Sequence, residues 1–341
     1  MIDYQKYRDE FDSFIDEMGE ITIGSNFSMP PSQILFEMDE TAYQEQLIEY
    51  VNQKKEDYHQ VVYDSFPAPI AYFYHQTGRA YDNEQHRLQL LRSTWESSIY
   101  ILYGLVFGEV NYKRFSLSNI RIFDNEKIKQ DHRGIMSDKI GWKVEAMQKI
   151  IEYDQQNRNE LQISSCINTD TFEVIKELNQ ERNSFSHIAA LSEQEAQGRF
   201  KKLCPIISDL LFELAFLENV FLLRYVSNVG DIHKIRFNKF EGHSLQRQNY
   251  EKVFSESELS FLTLILNDRT ILVEFDNIIF NISPFIHFHL EGSHLKLCYF
   301  KKIDQSTGDY IFEIIAGTER EIRLNPSYLP NCINISLGGL L

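Results

Sequence analysis

The sequence predicts a multidomain, mixed α+β chain: N-terminal helices, then a four-helix bundle, then a small antiparallel β barrel or sandwich. Three observations carry this expectation. Apolar residues recur at three-to-four spacing as far as about residue 228, the period of buried helix faces. Beyond residue 257, short runs of β-branched and aromatic residues alternate with turn residues. With 341 residues, 43% of them apolar and 13% aromatic, the chain has material for sizeable cores in two or three domains.

The predicted division is 1–66, a helical extension; 67–228, the bundle; 229–256, a connector; and 257–341, a β-strand module. In the extension, Tyr4, Tyr7, Phe11, Phe14, Ile15 and Met18 form one stripe. Gly24 to Pro31 interrupts it, and helical spacing resumes through Leu47, Val51, Tyr58, Val61 and Val62. Pro67 and Pro69 mark a boundary. Leu88, Leu91, Trp95, Ile99, Leu102 and Val106 then define a strong helix over 85–106, and Trp142, Val144, Met147 and Ile151 another over 141–153. Asp170-Thr-Phe-Glu173 opens a third, a capping box with a carboxylate at the cap. Ser192-Glu-Gln-Glu195 opens a fourth, which the apolar spacing extends through Phe221 and Tyr225; Pro205 should kink it or mark its true start. Strands are expected at 261–266, 270–275, 278–282, 286–290, 295–303, 310–316 and 321–324.

The third helix ends in Arg182-Asn183-Ser184-Phe185-Ser186-His187. Its stripe of Phe172, Ile175 and Leu178 continues to Arg182, and a permanent cation in a core register must be paired or open onto a cleft. Asn183 and His187 are four apart and share a helix face, within reach of Arg182 on the neighbouring row. A fork-shaped cation, a carboxamide and an imidazole at one spot suit a phosphate.

Arg-Asn followed by three residues and His, just before a long apolar helix, resembles the signature of HEPN domains, the four-helix nucleases of prokaryotic toxin and anti-phage systems. The bare spacing recurs at Arg79…His86 and Arg236…His243, but neither has Asn after the Arg. The resemblance implies catalytic roles for Arg182, Asn183 and His187 in metal-independent endonucleolytic cleavage of RNA. His187 would transfer protons, Arg182 would hold phosphate oxygens, and Asn183 would orient the histidine or donate to the phosphate. It also implies a homodimer through the bundle. RNA brings its own 2′-hydroxyl nucleophile, so no cofactor is expected, and a ribonuclease that would poison its host is expected to be held back by the β module, the N-terminal helices or a separate partner or ligand. HEPN toxins silenced by nucleotide transfer carry Tyr two residues past the His; Ala189 stands there. The competing expectation is a catalytically silent adaptor whose β module recognises a partner.

A net charge of −16 excludes a protein that coats nucleic acid through bulk charge, so RNA contacts must be local. Small basic groupings lie at Lys127, Lys129 and Arg133 and at Arg199, Lys201 and Lys202. The acidic amphipathic start is unlike a secretory signal, and the most apolar run, Ser98 to Val110, is too short to span a bilayer; the cytoplasm is the expected compartment, with no membrane partner. Cys166, Cys204, Cys298 and Cys332 show no metal or redox spacing and are expected as thiols. His287, His289, His294 and Cys298 are zinc-type ligands close together, but their spacing fits no common structural zinc pattern, and no metal is expected. No Walker loop, Rossmann glycines, nucleophile elbow or HExxH occurs.

Overall fold

A computed structural model of the protein describes residues 4–23, 27–124, 135–185, 190–244, 246–266, 268, 270–291, 294–304, 306–314 and 321–328. The chain is mixed α+β. Its axis is a helix over Glu84–Lys113, α5, opened by the Asn83 side chain accepting from the His86 N–H at 2.8 Å. From Leu88 to Val110 almost every position on α5 is buried, so the helix has neighbours on all sides. Polar residues in that register are satisfied within the helix: the Thr94, Ser97 and Ser98 hydroxyls donate to carbonyls one turn back.

On α5 pack α6 (Ile140–Asn157) and α9 (Glu193–Glu213); α8 (Thr171–Phe185) packs on α6 and α9, with the short α7 (Gln162–Cys166) between α6 and α8. Two buried carboxylates order the α6–α8 connection. Asp154 accepts from the Glu160 and Leu161 N–H groups and from the Ser164 hydroxyl; Glu109, on α5, accepts from the Gln162 and Ile163 N–H groups. Ahead of α5 come α1 (Arg8–Asp16), the hairpin β1–β2 (Ile21–Ile23, Phe27–Met29), α2 (Pro31–Met38), α3 (Glu40–Ser65) and α4 (Ala68–Arg79). Phe11, Tyr43, Leu47 and Val51 form a small separate core closed by Phe212 of α9.

The Ser192 capping box forms as its sequence demands, with the Glu195 N–H donating to the Ser192 hydroxyl oxygen at 3.3 Å. Pro205 neither starts nor ends α9. The helix stops at Glu213, short of the predicted span. After a 3-10 turn at Ala215–Asn219, Phe221 and Tyr225 lie on a strand, β3 (Phe221–Val229), because partners on both sides hydrogen-bond it. The expected connector is also corrected. Asp231–Phe240 and Gln248–Val253 are strands β4 and β5, in which Ile235 and Phe237 alternate inward while Lys234 and Arg236 pair with Glu251 across the ladder, both at 2.7 Å. No strand forms over 261–266: Phe261 and Leu262 end a helix, α10 (Glu256–Leu262), which the Ser255–Glu258 capping box starts, and residues 263–265 turn after it.

The remaining strands are β6 (Leu272–Phe275), β7 (Ile278–Asn281), β8 (Ile286–Glu291), β9 (His294–Ile303), β10 (Tyr310–Ile314) and β11 (Glu321–Leu324). Asp276 and Asn277, with φ of 47° and 64°, make the two-residue turn between β6 and β7. The sheets are open, in orders β5-β4-β3-β6-β7 and β11-β10-β9-β8, so no closed barrel forms among the described residues. Both sheets press on the helices in one continuous core. Tyr299 stacks on Tyr100 at 4.6 Å and donates to the Ser97 hydroxyl at 2.6 Å. Cys166, Cys204 and Cys298 form no disulfide, and Cys332 lies outside the described residues.

At Gly108 the helix backbone meets the strand region so closely that an added Cβ would fall 2.8 Å from atoms of Ile282 and Phe280. Gly108→Ala should therefore lower unfolding stability by about 1–3 kcal/mol, the usual cost of overpacking, as read by urea denaturation.

Lys143, on α6, is fully buried, and its ammonium finds no hydrogen bond. It lies over the rings of Tyr103, Tyr100 and Phe300 at 4.6, 5.6 and 5.9 Å. Burial drives its pKa from 10.5 down to about 7 against a small opposing pull from Asp138, while the ring faces return part of the cost. Between those values the unfolded chain holds a proton that the folded chain has released, so this group makes stability rise with pH from about 7 to about 10.5. Lys143→Met should flatten that rise and stabilise the protein at neutral pH by about 3 kcal/mol, measured as unfolding free energy against pH.

Candidate functional site

The motif rests on α8. Phe172, Ile175 and Leu178 are all buried, so the predicted stripe anchors this helix to the core. α8 lies between α6 and α9, close enough to the start of α6 that a Cβ at Gly141 would sit 3.2 Å from the Asn179 side-chain nitrogen. Arg182 and Asn183 occupy the last turn of α8, with Arg182 one turn beyond Leu178. His187 lies outside the described residues, as do the side chains of Arg182 and Asn183.

Described groups on either side define the setting. The Leu191 carbonyl accepts from the Gln85 carboxamide at 2.9 Å, tying the chain after the motif to the first turn of α5. On α9, Lys202 pairs with Glu181, the residue before Arg182, at 2.7 Å. The basic grouping of Arg199, Lys201 and Lys202 is therefore on the helix flanking the motif turn. Lys202 is 59% exposed and its bridge is a surface one, weak enough to yield to a phosphate. The first turn of α9 is a poor anion site. Its N–H groups face the Ser192–Glu195 capping box, and the Ser192 hydroxyl holds the Glu195 carboxyl below the usual carboxylate range. Arg87 is committed to packing: its guanidinium lies 3.9 Å from the Phe200 ring centroid, and its Nε donates to the Thr77 carbonyl. Lys127, Lys129 and Arg133 fall outside the described residues.

Both other Arg…His spacings serve the fold. His86 bonds Asp82 at the start of α5; Arg236 pairs with Glu251. His243 stacks on His75 at 4.2 Å while its N–H docks on the Tyr63 carbonyl. That stack belongs to a group that sequence spacing concealed. His59, Tyr63, Tyr74, His75 and His243 gather between α3, α4 and the end of β4, with the Tyr74 hydroxyl 2.7 Å from His59 Nδ1. Burial lowers the pKa of His59 and of His75, and His243 pushes His75 further down.

In the β region, His287 and Cys298 are cross-strand partners, His289 stands opposite Lys296, and His294 closes the other end of the β8–β9 ladder. The His287 ring packs on Phe312 at 5.1 Å. Among the described residues, no group of three or more His, Cys, Asp or Glu side chains is placed to hold a metal ion. A cavity of about 310 Å³ lies between Tyr112 of α5, Phe254, α10 and the β6–β7 turn, apolar at Phe261, Leu262 and Ile279 and polar at Glu258 and Asn277. It is large enough for a small ligand.

No family model, curated protein or solved structure matches this chain. No helix among the described residues is long and apolar enough to cross a membrane.

Proposed function

We propose that the protein is a metal-independent endoribonuclease of HEPN type, a toxin or effector in anti-phage defence. What carries this reading is the placement of Arg182 and Asn183 in the last turn of a core-anchored helix, beside the basic grouping on α9 and ahead of the capped start of that helix. RNA supplies its own nucleophile. A base takes the proton of the 2′-hydroxyl, the 2′-oxygen attacks phosphorus, the bond to the 5′-oxygen breaks, and an acid protonates that oxygen. The products are a 2′,3′-cyclic phosphate and a 5′-hydroxyl. His187 serves as base or acid near neutral pH, Arg182 neutralises the charge growing on the phosphate oxygens, and Asn183 orients the imidazole or donates to the phosphate.

One histidine per chain covers one proton transfer; a two-fold dimer through the helices brings a second copy to the same cleft. A regulatory ligand has a place in the cavity beside α10, where it would bear on α5 through Tyr112.

Purified protein should cleave total RNA in excess EDTA, leaving cyclic-phosphate ends, and His187→Ala should reduce cleavage by about 100-fold or more. If neither protein cleaves and expression leaves growth unaffected, the chain is the silent adaptor instead. Light scattering at micromolar concentration should give a dimer mass, and a monomer there would sink the shared-cleft arrangement.

A further inference from the structure

We propose that the apolar face of the β1–β2 hairpin is a docking surface for a basic, apolar segment of another protein. This inference does not rest on the ribonuclease reading. The hairpin is a two-stranded sheet of its own, an arrangement marginal in water without a cover. Its pairs Ile21↔Met29 and Ile23↔Phe27 put four apolar side chains on one face, while Thr22 and Ser28 share the other. Met29 is buried, but Ile21, Ile23 and Phe27 are 48%, 46% and 58% exposed, and Met18, just ahead of the hairpin, is 77% exposed. Large apolar side chains clustered in solvent mark interaction sites; scattered ones need no such account.

The chemistry of the occupant follows from charge. Residues 1–50 hold twelve Asp and Glu against only Lys6 and Arg8, so the segment that carries this face is strongly acidic. Glu17 and Glu20 lead directly into the hairpin, and no basic side chain pairs with either among the described residues. A second copy would bring like charges together, and nucleic acid or an anionic membrane would be repelled. A polypeptide with Lys or Arg flanking an apolar face satisfies both features. The surface is also held firmly: the Ser32 N–H and hydroxyl both donate to Asp16 at 2.9 Å, closing the base of the hairpin, and the segment is seated on α9 through Phe212.

The test uses the full chain and a dye-labelled amphipathic Leu/Lys peptide, followed by anisotropy, with a matched Leu/Glu peptide as control. Wild type should bind the Leu/Lys peptide, more weakly as salt is raised. The double variants Ile23→Ser/Phe27→Ser and Glu17→Lys/Glu20→Lys should each bind it about tenfold more weakly, near 1.4 kcal/mol. These side chains are exposed, so circular dichroism should show both variants folded. No binding by wild type, or equal binding by the Ser variant, would overturn the proposal, as would equal affinity for the Leu/Glu peptide. A wild-type dimer that the Ser variant dissolves would make a second copy the occupant and would overturn it too.

Discussion

Everything in this molecule is arranged to keep α5 out of water on all sides. A helix buried around its circumference cannot be stabilised by one amphipathic contact; it needs helices on some faces and strands on the others. α4, α6 and α9 supply the first, and Phe280 and Phe300 on strands, with Ile282 and Phe285 between β7 and β8, supply the second. The glycine at 108 lets the strand region approach the α5 backbone. The Thr94, Ser97 and Ser98 hydroxyls inside the core, turned back onto their own helix, are each satisfied without water.

Charged groups inside this framework have distinct jobs. Glu109 and Asp154 spend their oxygens on backbone N–H groups and so fix the path from α6 to α8, which places the motif helix. Burial raises the pKa of Glu109, and its two backbone donors pull the other way. Lys143 has no hydrogen-bonding partner; it sits where α5, α6 and β9 meet, over the faces of aromatic rings. A sequence selected for stability alone would have an apolar residue there.

The helices were legible because their signals are local: the stripe of Phe172, Ile175 and Leu178, the Ser192 capping box, and the run from Leu88 to Val106 all fall where periodicity placed them. β3 was not, because Phe221 and Tyr225 also fit a helical stripe, and the decision lies with β4 and β6, the latter about fifty residues away. β4 escaped because its outward positions are charged and its inward ones few, which reads as polar linker until Glu251 is seen opposite. α10 could have been read from Ser255 and Glu258, a signature that outweighed the aromatic and β-branched run after it. For the candidate site, the positions of Arg182 and Asn183 on a helix end were readable; the basic flank on α9 was visible only as a grouping, and the histidine–tyrosine group was not visible at all, since His243 reaches His75 only through the docking of β4 on α3.

The cover of α5 by late strands also orders events during synthesis. The ribosome releases α5 and the motif helix long before Phe280, Phe285 and Phe300 emerge, so a nascent chain carries an apolar helix with one flank bare until nearly its whole length is made. Stalled or truncated chains would expose that flank and invite chaperones or proteases.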